Sequence, residues 1–327
     1  MDEHTRAIES LKDRLPGQHK KLLSVYITFA VFLVAELIMD PLILKSYSRM
    51  WPLSLQFAPL MLCAMSQGCI MLVGGINLSL GASLSLTTTI AAVTMFEGAA
   101  GTAGGIVATL ASGMAIGLVM GTVVTFGRLP DIIVTLAFSY IWNGAALLVL
   151  SKPGGHIPGA YSRFLQSQGI VPFAVIMILL LLVFWKIVKN TRLGVDIYAI
   201  GGNAKASFES GINVQATKIL TYMISGLFMA GAALVLVGQT GCGDPTIGGA
   251  YGTRSIAAAI LGGFSFSGGI GQMKGAVLGA FIYIAIENIL FFSGLSSFYQ
   301  YIIQGAILIA AIGLKVISYH RGGGEGA

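Results

Sequence analysis

Charged side chains are scarce in this chain of 327 residues: Asp, Glu, Lys and Arg make up only 10% of it, against 55% hydrophobic residues. Soluble domains carry about 25% charged residues. The mean hydropathy of +0.84 therefore indicates a chain that lies in lipid rather than a soluble domain with a larger core. The 44 glycines suit closely packed membrane helices, in which small residues let backbones approach each other.

Motifs of catalysis and nucleotide binding are also lacking. The three cysteines, Cys63, Cys69 and Cys242, do not have the spacing of a metal site and are read as packing residues. No G-x-x-x-x-G-K-[ST] motif occurs, since Lys274 follows glycines at the wrong spacing. No Ser/His/Asp set is recognisable. The sequence thus predicts neither an enzyme nor a chain that binds a cofactor of its own.

Apolar runs long enough to cross a bilayer follow one another along most of the chain, because a crossing helix needs roughly 20 apolar residues. The prediction is an all-α polytopic membrane protein of about ten transmembrane helices. The spans are 22–40, 52–73, 78–96, 104–126, 132–150, 170–188, 218–238, 253–271, 275–292 and 298–316. The third and eighth are rich in Ser and Gly and are expected to be partly re-entrant.

The basic residues orient these spans. The net charge of +6 and the pI of about 9.2 arise from residues between apolar runs, which points to membrane topology and not to nucleic acid. With both termini in the cytoplasm, only five of the 19 basic residues fall outside: Lys45, Arg49, Lys152, Arg163 and Arg254. The predicted organisation is a cytoplasmic segment 1–21, a transmembrane domain 22–318 and a flexible tail 319–327.

Two polar, glycine-bracketed breaks interrupt the apolar runs. The first, GGINLSLGAS at 74–83, brings Asn77, Ser79 and Ser83 between two spans. Irregular backbone within a membrane must line a cavity or be covered by protein. Two interpretations are equally supported: a wall of a substrate path, or a structural kink whose polar groups satisfy each other.

The second break, GGFSFSGGIG at 262–271, holds Phe264, Ser265 and Ser267. Breaks in corresponding halves of a transporter suggest an internal inverted repeat around a central path. Few charges lie within the spans, and the two clear ones are Glu36 and Glu287. Ion-coupled transporters usually carry such carboxylates, so their scarcity argues mildly against ion coupling.

The most informative segment is a polar island, NTRLGVDIYAIGGNAKASFESGINV, from Asn190 to Val214, between two span-length apolar runs. The sequence predicts that one helix ends near 190–192 and that Gly201 and Gly202 make a turn. A short helix of small residues from Ala204 to Ser210 follows, and Gly211 stops it. Such a helix in a cytoplasmic loop at 190–217 suits docking into a groove of a soluble partner.

These segments resemble the permease subunits of bacterial ABC importers for monosaccharides, the ribose/xylose/galactose group. GGINLSLGAS is similar to their GGIDLSVGS signature, the island to their cytoplasmic coupling segment, and residues 255–280 to their late glycine-rich block. The resemblance covers about residues 50–315. It implies a multi-pass protein of the bacterial inner membrane, in a homodimer or heterodimer of permeases.

The resemblance also implies partners and site residues. ATPase subunits that hold ATP and Mg would lie beneath the membrane, and an extracytoplasmic sugar-binding protein would dock from outside. The substrate path would be lined by Asn77, Ser79, Ser83, Phe264, Ser265 and Ser267. The ATPase would be coupled through Gly201, Gly202, Asn203, Ala206, Ser210, Gly211 and Ile212.

Three positions depart from the family pattern. Asn77 stands where Asp is usual, Thr253-Arg254-Ser255 where Glu-Leu-Asp is usual, and Glu287-Asn288 where Asn-Gly is usual. These changes leave the solute open. The alternatives are an ABC permease for branched-chain amino acids or nucleosides, an ion-coupled secondary transporter that uses Glu287, or a membrane scaffold, which leaves the two breaks unexplained.

Overall fold

The structure is a computed structural model that describes residues 16–39, 47–166 and 173–294, with a few single residues between 296 and 309. Within these residues the regular structure is helical, apart from one isolated bridge between Gly154 and Gly243. The twelve helices are α1 Pro16–Met39, α2 Tyr47–Leu72, α3 Leu80–Thr94, α4 Ala99–Gly127, α5 Asp131–Val149, α6 Gly159–Gln166, α7 Phe173–Lys189, α8 Arg192–Gly202, α9 Ala204–Glu209, α10 Val214–Thr240, α11 Gly249–Leu261 and α12 Met273–Phe292.

Five of these helices are long and apolar enough to cross a membrane: α2 from Ser54, α4, α5, α10 and α12. They confirm that the spans predicted at 52–73, 104–126, 132–150, 218–238 and 275–292 are apolar helices. The N-terminal residues 1–15 and the tail 319–327 lie outside the described residues, and so does most of the span predicted at 298–316.

Two sequence predictions need correction, and one helix is missing from the prediction. The span predicted at 253–271 is wrong in its bounds, because α11 ends at Leu261 and the glycines that follow leave the helix. The turn predicted at Gly201-Gly202 is wrong, since both residues belong to α8. The short helix α6 was not predicted at all, because its eight residues carry too few apolar positions.

The helices α3 and α11 are short, with 15 and 13 residues. At 1.5 Å per residue they measure roughly 22 Å and 20 Å, which is less than the ~30 Å hydrocarbon core. They pack against each other where Gly81 meets Gly248, and a Cβ on Gly248 would lie 1.9 Å from the Gly81 carbonyl oxygen. Helix α3 is buried along most of its length, whereas the first turn of α11 is exposed and its second half is mostly buried.

The core is centred on α10, which packs against α4, α2 and α3. Glycines allow the closest of these approaches: Gly226 of α10 faces Gly113 of α4, and a Cβ on Gly226 would lie 2.0 Å from the Gly113 carbonyl oxygen. By contrast α5 exposes large apolar side chains, among them Leu148 at 90% and Tyr140 at 74%. An exposed apolar face of this size suits contact with lipid.

Candidate functional site

The first break begins with a glycine-dependent helix end. Helix α2 closes in a Schellman motif, in which the Gly75 N–H donates to the Ile70 carbonyl at 3.0 Å and the Gly74 N–H to the Met71 carbonyl at 3.1 Å. Gly74 has a φ of +83°, which a residue with a side chain adopts only with strain. The carbonyl of Leu72 is not used by this motif and receives its donor from elsewhere.

Asn77 organises the rest of the break. Its Oδ1 accepts hydrogen bonds from the Ser79 N–H at 3.0 Å and the Ser79 hydroxyl at 2.8 Å, which forms an Asx turn just before α3. The buried Gln67 amide pairs with the Asn77 backbone, donating from its nitrogen and accepting at its oxygen, both at 3.1 Å. The polar groups of the turn are thus satisfied by protein.

A threonine of α5 ties the break to the bundle. Thr135 Oγ1 accepts from the Leu78 N–H at 3.1 Å, and its hydroxyl lies within donating distance of the carbonyl oxygens of Asp131, at 2.8 Å, and Ile76, at 3.1 Å. The Ser79 hydroxyl also contacts the Met120 sulfur of α4 at 2.9 Å and lies 3.4 Å from the Ser83 hydroxyl. Asn77, Ser79 and Ser83 are all buried in this structure, and their place on a substrate path stays a prediction.

The departure at Asn77 has a local explanation. The Asx turn needs a side-chain oxygen two residues before the N–H that it captures, and either Asp or Asn supplies one. Asn77 therefore keeps the turn while it removes a negative charge from a site that is 2% exposed. A carboxylate already stands beside this break: Asp131 Oδ2 accepts from the Tyr222 hydroxyl at 3.1 Å and lies where a Cβ on Gly75 would be.

The second break opens in the same way as the first. Helix α11 ends in a Schellman motif, with Phe264 N–H donating to Ala259 and Gly263 N–H to Ile260. The Phe264 ring is 1% exposed and packs between Gly68 and Gly271, where an added Cβ would lie 2.7 Å and 2.3 Å from ring atoms.

The serines of this break lie nearer the surface than the ring. Ser265 is half-buried and Ser267 is exposed. The three residues predicted to line the path here thus have different environments, and their role stays a prediction.

The two breaks and the island meet in one compact contact, which we call the glycine junction: Leu72, Gly74, Gly201, Gly268 and Gly269. The Gly269 N–H donates to the free Leu72 carbonyl at 2.9 Å. A Cβ on Gly201 would lie 1.8 Å from the Leu72 oxygen and 2.3 Å from the Gly269 nitrogen, and one on Gly268 would lie 2.9 Å from Gly74 Cα. Only backbone atoms fill this contact.

One side chain of α8 reinforces the junction. The Tyr198 hydroxyl donates to the Gly271 carbonyl at 3.0 Å. Burial raises the pKa of this phenol, so the group stays a protonated donor at neutral pH. The Lys189 ammonium lies 5.4 Å from the centre of the Tyr198 ring, within range of a cation–π contact. Helix α8 is therefore held to the second break by the Tyr198 hydrogen bond and to α7 by the Lys189 contact.

The part of the island that follows α8 is exposed. Asn203 caps α9 by accepting from the Ala206 N–H at 3.0 Å, and Gly211, with a φ of +81°, ends the helix in a third Schellman motif with Ile212. This confirms the predicted short helix and its stop. Gly202, Asn203, Ala206, Ser210 and Gly211 are exposed and Ile212 is half-buried, whereas Gly201 is buried. Their part in ATPase coupling stays a prediction.

Two of the residues that depart from the family pattern contact each other. Arg254 of α11 and Glu287 of α12 form an ion pair of 3.2 Å, with side chains 29% and 18% exposed. Asn288, the neighbour of Glu287, accepts from the Gln56 amide at 3.4 Å. The side chain of the other predicted intramembrane carboxylate, Glu36, lies outside the described residues.

Sequence reasoning missed the residues that hold these segments in place: Gln67, Thr135 and Tyr198. Polar residues inside an apolar run were a usable signal for Gln67 and Thr135, because a buried amide or hydroxyl needs a partner. Nothing local marks Tyr198, since its acceptor Gly271 lies 73 residues away in sequence.

Comparison with known proteins gives a consistent result. Residues 50–312 match the model of the family described as branched-chain amino acid transport system/permease component. The ribose import permease protein of Escherichia coli (strain K12) is 35% identical over 259 residues, which cover 76% of this chain and 79% of the relative. No solved structure matches.

Two further relatives carry the names of other sugars. The D-allose transport system permease protein of Escherichia coli (strain K12) is 29% identical over 316 residues, 95% of this chain and 97% of the relative. The galactose/methyl galactoside import permease protein of Haemophilus influenzae is 32% identical over 229 residues, 66% of this chain and 67% of the relative.

Proposed function

The chain belongs to the family of branched-chain amino acid transport system/permease components, and we propose that it is the membrane permease subunit of an ATP-driven importer for a monosaccharide. Its relatives are named for ribose, allose and galactose, which are uncharged and rich in hydroxyls. These names favour a monosaccharide over a branched-chain amino acid or a nucleoside as the solute of this chain.

The observation that carries the mechanism is the contact of Gly201 with Leu72 and Gly269. It joins the polar island directly to both breaks through backbone atoms. A displacement of α8 therefore reaches both breaks at once, because no flexible side chain lies between them to absorb it. This is the geometry that a subunit needs when an external motor drives it.

The proposed topology has ten spans and both termini in the cytoplasm of a bacterial cell, with the protein in the inner membrane. The glycine junction then lies at the cytoplasmic end of the bundle. Helix ends and loops at that end hold most of the described basic residues: Arg128, Lys186, Lys189, Arg192, Lys205, Lys218 and Lys274. Basic residues favour the cytoplasmic side. The short helices α3 and α11 would be the two arms of an inverted repeat.

Three protein partners follow from the proposal. A cytoplasmic ATPase subunit would bind the exposed helix α9 and carry ATP and Mg, since this chain has no nucleotide motif. A sugar-binding protein would dock at the opposite end, and a second permease, identical or paralogous, would complete the path. When the ATPase closes, α9 and α8 would move together and shift both breaks, so that Asn77, Ser79, Ser83, Phe264, Ser265 and Ser267 line a path.

Ion coupling finds less support. That function needs a carboxylate that releases and rebinds protons or sodium ions, and Glu287 was its candidate. In this structure the Glu287 carboxylate is engaged by the Arg254 guanidinium at 3.2 Å. The Arg254–Glu287 pair is thus better explained as a structural contact between α11 and α12.

The experiment is purification of the full chain from its native membranes with mass spectrometry of what stays bound. We expect a P-loop ATPase to co-purify, and a preparation that retains none after mild cross-linking contradicts the proposal.

Ala206→Trp, at an exposed position of α9, should abolish the association and sugar uptake while the chain stays in the membrane, and Gly211→Trp should act alike. The matched control is Val107→Trp, which adds the same bulk to the exposed apolar face of α4.

A further inference from the structure

An open cavity lies at the end of the bundle opposite the glycine junction, and Gln56 and Gln166 on its wall are exposed. It has a volume of about 350 Å³ and is lined by Leu55, Gln56, Gln166, Gln239 and Tyr251. These residues come from four helices, α2, α6, α10 and α11, at or near the ends that point away from Gly201. Small-molecule sites in proteins occupy roughly 300–1,000 Å³, so the cavity has room for one monosaccharide.

The lining of this cavity consists mainly of three carboxamides and a phenol. Carboxamides both donate and accept hydrogen bonds without a charge, and they suit a ligand whose surface consists of hydroxyl groups. The aromatic ring of Tyr251 and the side chain of Leu55 supply the apolar part. The chemistry fits a neutral polyol better than an ion or an amino acid, whose charged groups need charged partners.

The carboxamides are held in place by the protein. The Gln239 amide nitrogen donates to the Leu55 carbonyl, the Gln56 nitrogen to Asn288 at 3.4 Å, and the Gln166 nitrogen to the Gly238 carbonyl at 3.1 Å. Each carboxamide keeps a carbonyl oxygen as acceptor, and a side-chain amide has two N–H groups, so Gln56 and Gln239 each retain one more donor. Side chains fixed in this way lose little freedom when a ligand binds.

An Arg–Glu ion pair lies beside the cavity. Arg254 lies one helical turn after Tyr251, and it is paired with Glu287 at 3.2 Å. Asn288 links this pair to Gln56 on the cavity wall. The departures from the family pattern at 254 and 287–288 therefore lie next to the cavity, and the ion pair gives the ligand no net charge to bind.

We propose that this cavity is an entry subsite for an uncharged polyhydroxylated solute of monosaccharide size. The inference rests on the proposed function, because there this end of the bundle faces the outside and receives the solute first. Binding is expected to be weak, so that the solute moves on along the path rather than being retained. Gln56 and Tyr251 are the residues that hold its hydroxyl groups.

The test is saturation-transfer difference NMR on the complete transporter, purified with its native partners and placed in lipid nanodiscs without binding protein. The probes are D-ribose, D-allose, D-galactose and L-leucine, each added alone. We expect saturation transfer to at least one sugar and none to L-leucine. Absence of transfer to all three sugars overturns the subsite, and so does transfer to L-leucine alone.

Variants locate the binding. Tyr251→Phe removes one hydroxyl and keeps the ring, and Gln56→Leu removes the carboxamide; loss of one hydrogen bond should weaken sugar binding roughly two- to tenfold in each case. Tyr140→Phe, on the exposed face of α5, is the matched control and should bind as wild type. Unchanged binding in both cavity variants overturns the assignment. Should Gln56→Leu fail to assemble, Tyr251→Phe decides alone.

The same preparation separates the two proposals. Sugar binding that needs Tyr251, in a preparation without an ATPase, keeps the subsite and removes the ATP-driven function. An ATPase that hydrolyses ATP together with a cavity that binds no sugar keeps the importer and removes the subsite.

Discussion

The two ends of the bundle are built differently. At the glycine junction, backbone atoms of α2, α8 and the second break touch through Leu72, Gly201 and Gly269, and no side chain intervenes. At the opposite end long polar side chains also make contacts, among them three carboxamides around a cavity and the Arg254–Glu287 pair, next to a backbone bridge between Gly154 and Gly243. The same helices α2 and α11 lead to both ends.

The difference has a mechanical consequence. Side chains change rotamers at small cost, so an end made of them can adapt to a ligand, whereas touching backbones move only as rigid bodies. The junction is therefore suited to transmit a displacement, and the cavity end is suited to recognise a solute. Substitutions that place side chains in the junction, or that remove charges from the other end, test this difference.

The largest effect is expected from Gly201→Val. The new Cβ would lie 1.8 Å from the Leu72 oxygen and must push α8 away from both breaks. Because such overpacking in a rigid contact is not relieved by a rotamer change, we expect sugar uptake to be abolished. Uptake of labelled sugar and the amount of chain in the membrane, by immunoblot, are the measurements.

A glycine outside the island supplies the control. A Cβ on Gly144 of α5 meets nothing within 4 Å, so Gly144→Ala should retain uptake near the wild-type rate. Equal uptake in Gly201→Ala and Gly144→Ala would show that the junction tolerates a side chain, and the contrast between the two ends would then lose its basis.

A second, smaller effect is expected from Asn77→Ala. It removes the acceptor of the Ser79 N–H and hydroxyl, both in a buried site, and each orphaned donor costs about 1–3 kcal/mol. We expect a loss of about 2–4 kcal/mol, seen as a lower thermal midpoint of the detergent-solubilised chain. Asn77→Asp keeps the acceptor oxygen, and a drop as large as that of Asn77→Ala would contradict the role of the Asx turn.

The sequence was sufficient for some of this architecture and not for the rest. Long apolar runs predict helices such as α4 and α10, because burial in lipid requires internally bonded backbone. The stop of α9 was predicted too, since Gly211 takes a positive φ that favours glycine. Local rules are enough in these cases.

Other features depend on partners distant in the chain. The sequence predicts a turn at Gly201, because glycine disfavours a helix by about 1 kcal/mol, but in α8 this glycine permits contact with Leu72 and Gly269. Arg254 and Glu287 were noted separately as departures, and only the fold shows that they neutralise each other. The sequence shows where a glycine or an unusual charge occurs, but it does not show which residue contacts it.

The third prediction concerns charge at the cavity end. Arg254→Leu leaves the Glu287 carboxylate without its cation in a mostly buried place, and breaking a buried pair costs roughly 3–5 kcal/mol. The two side chains are 29% and 18% exposed, so we expect about 1–3 kcal/mol, again as a lower thermal midpoint.

The matched variant for this pair reverses both charges. Arg254→Glu combined with Glu287→Arg should recover most of the stability that Arg254→Glu alone loses, because the two side chains still face each other. If the double variant is no more stable than Arg254→Glu alone, the ion pair contributes nothing to stability. The two ends of the bundle would then differ only in the cavity.

The smallest effect is expected from Tyr198→Phe, which removes the one side-chain hydrogen bond described at the junction, from the hydroxyl to the Gly271 carbonyl. A single hydrogen bond contributes about 1 kcal/mol, so the thermal midpoint should fall only slightly. If backbone contact alone transmits motion, uptake should stay within about threefold of wild type, a change of less than 1 kcal/mol. A loss as complete as that of Gly201→Val would mean that the Tyr198 side chain, and not the glycine backbone, links the island to the breaks.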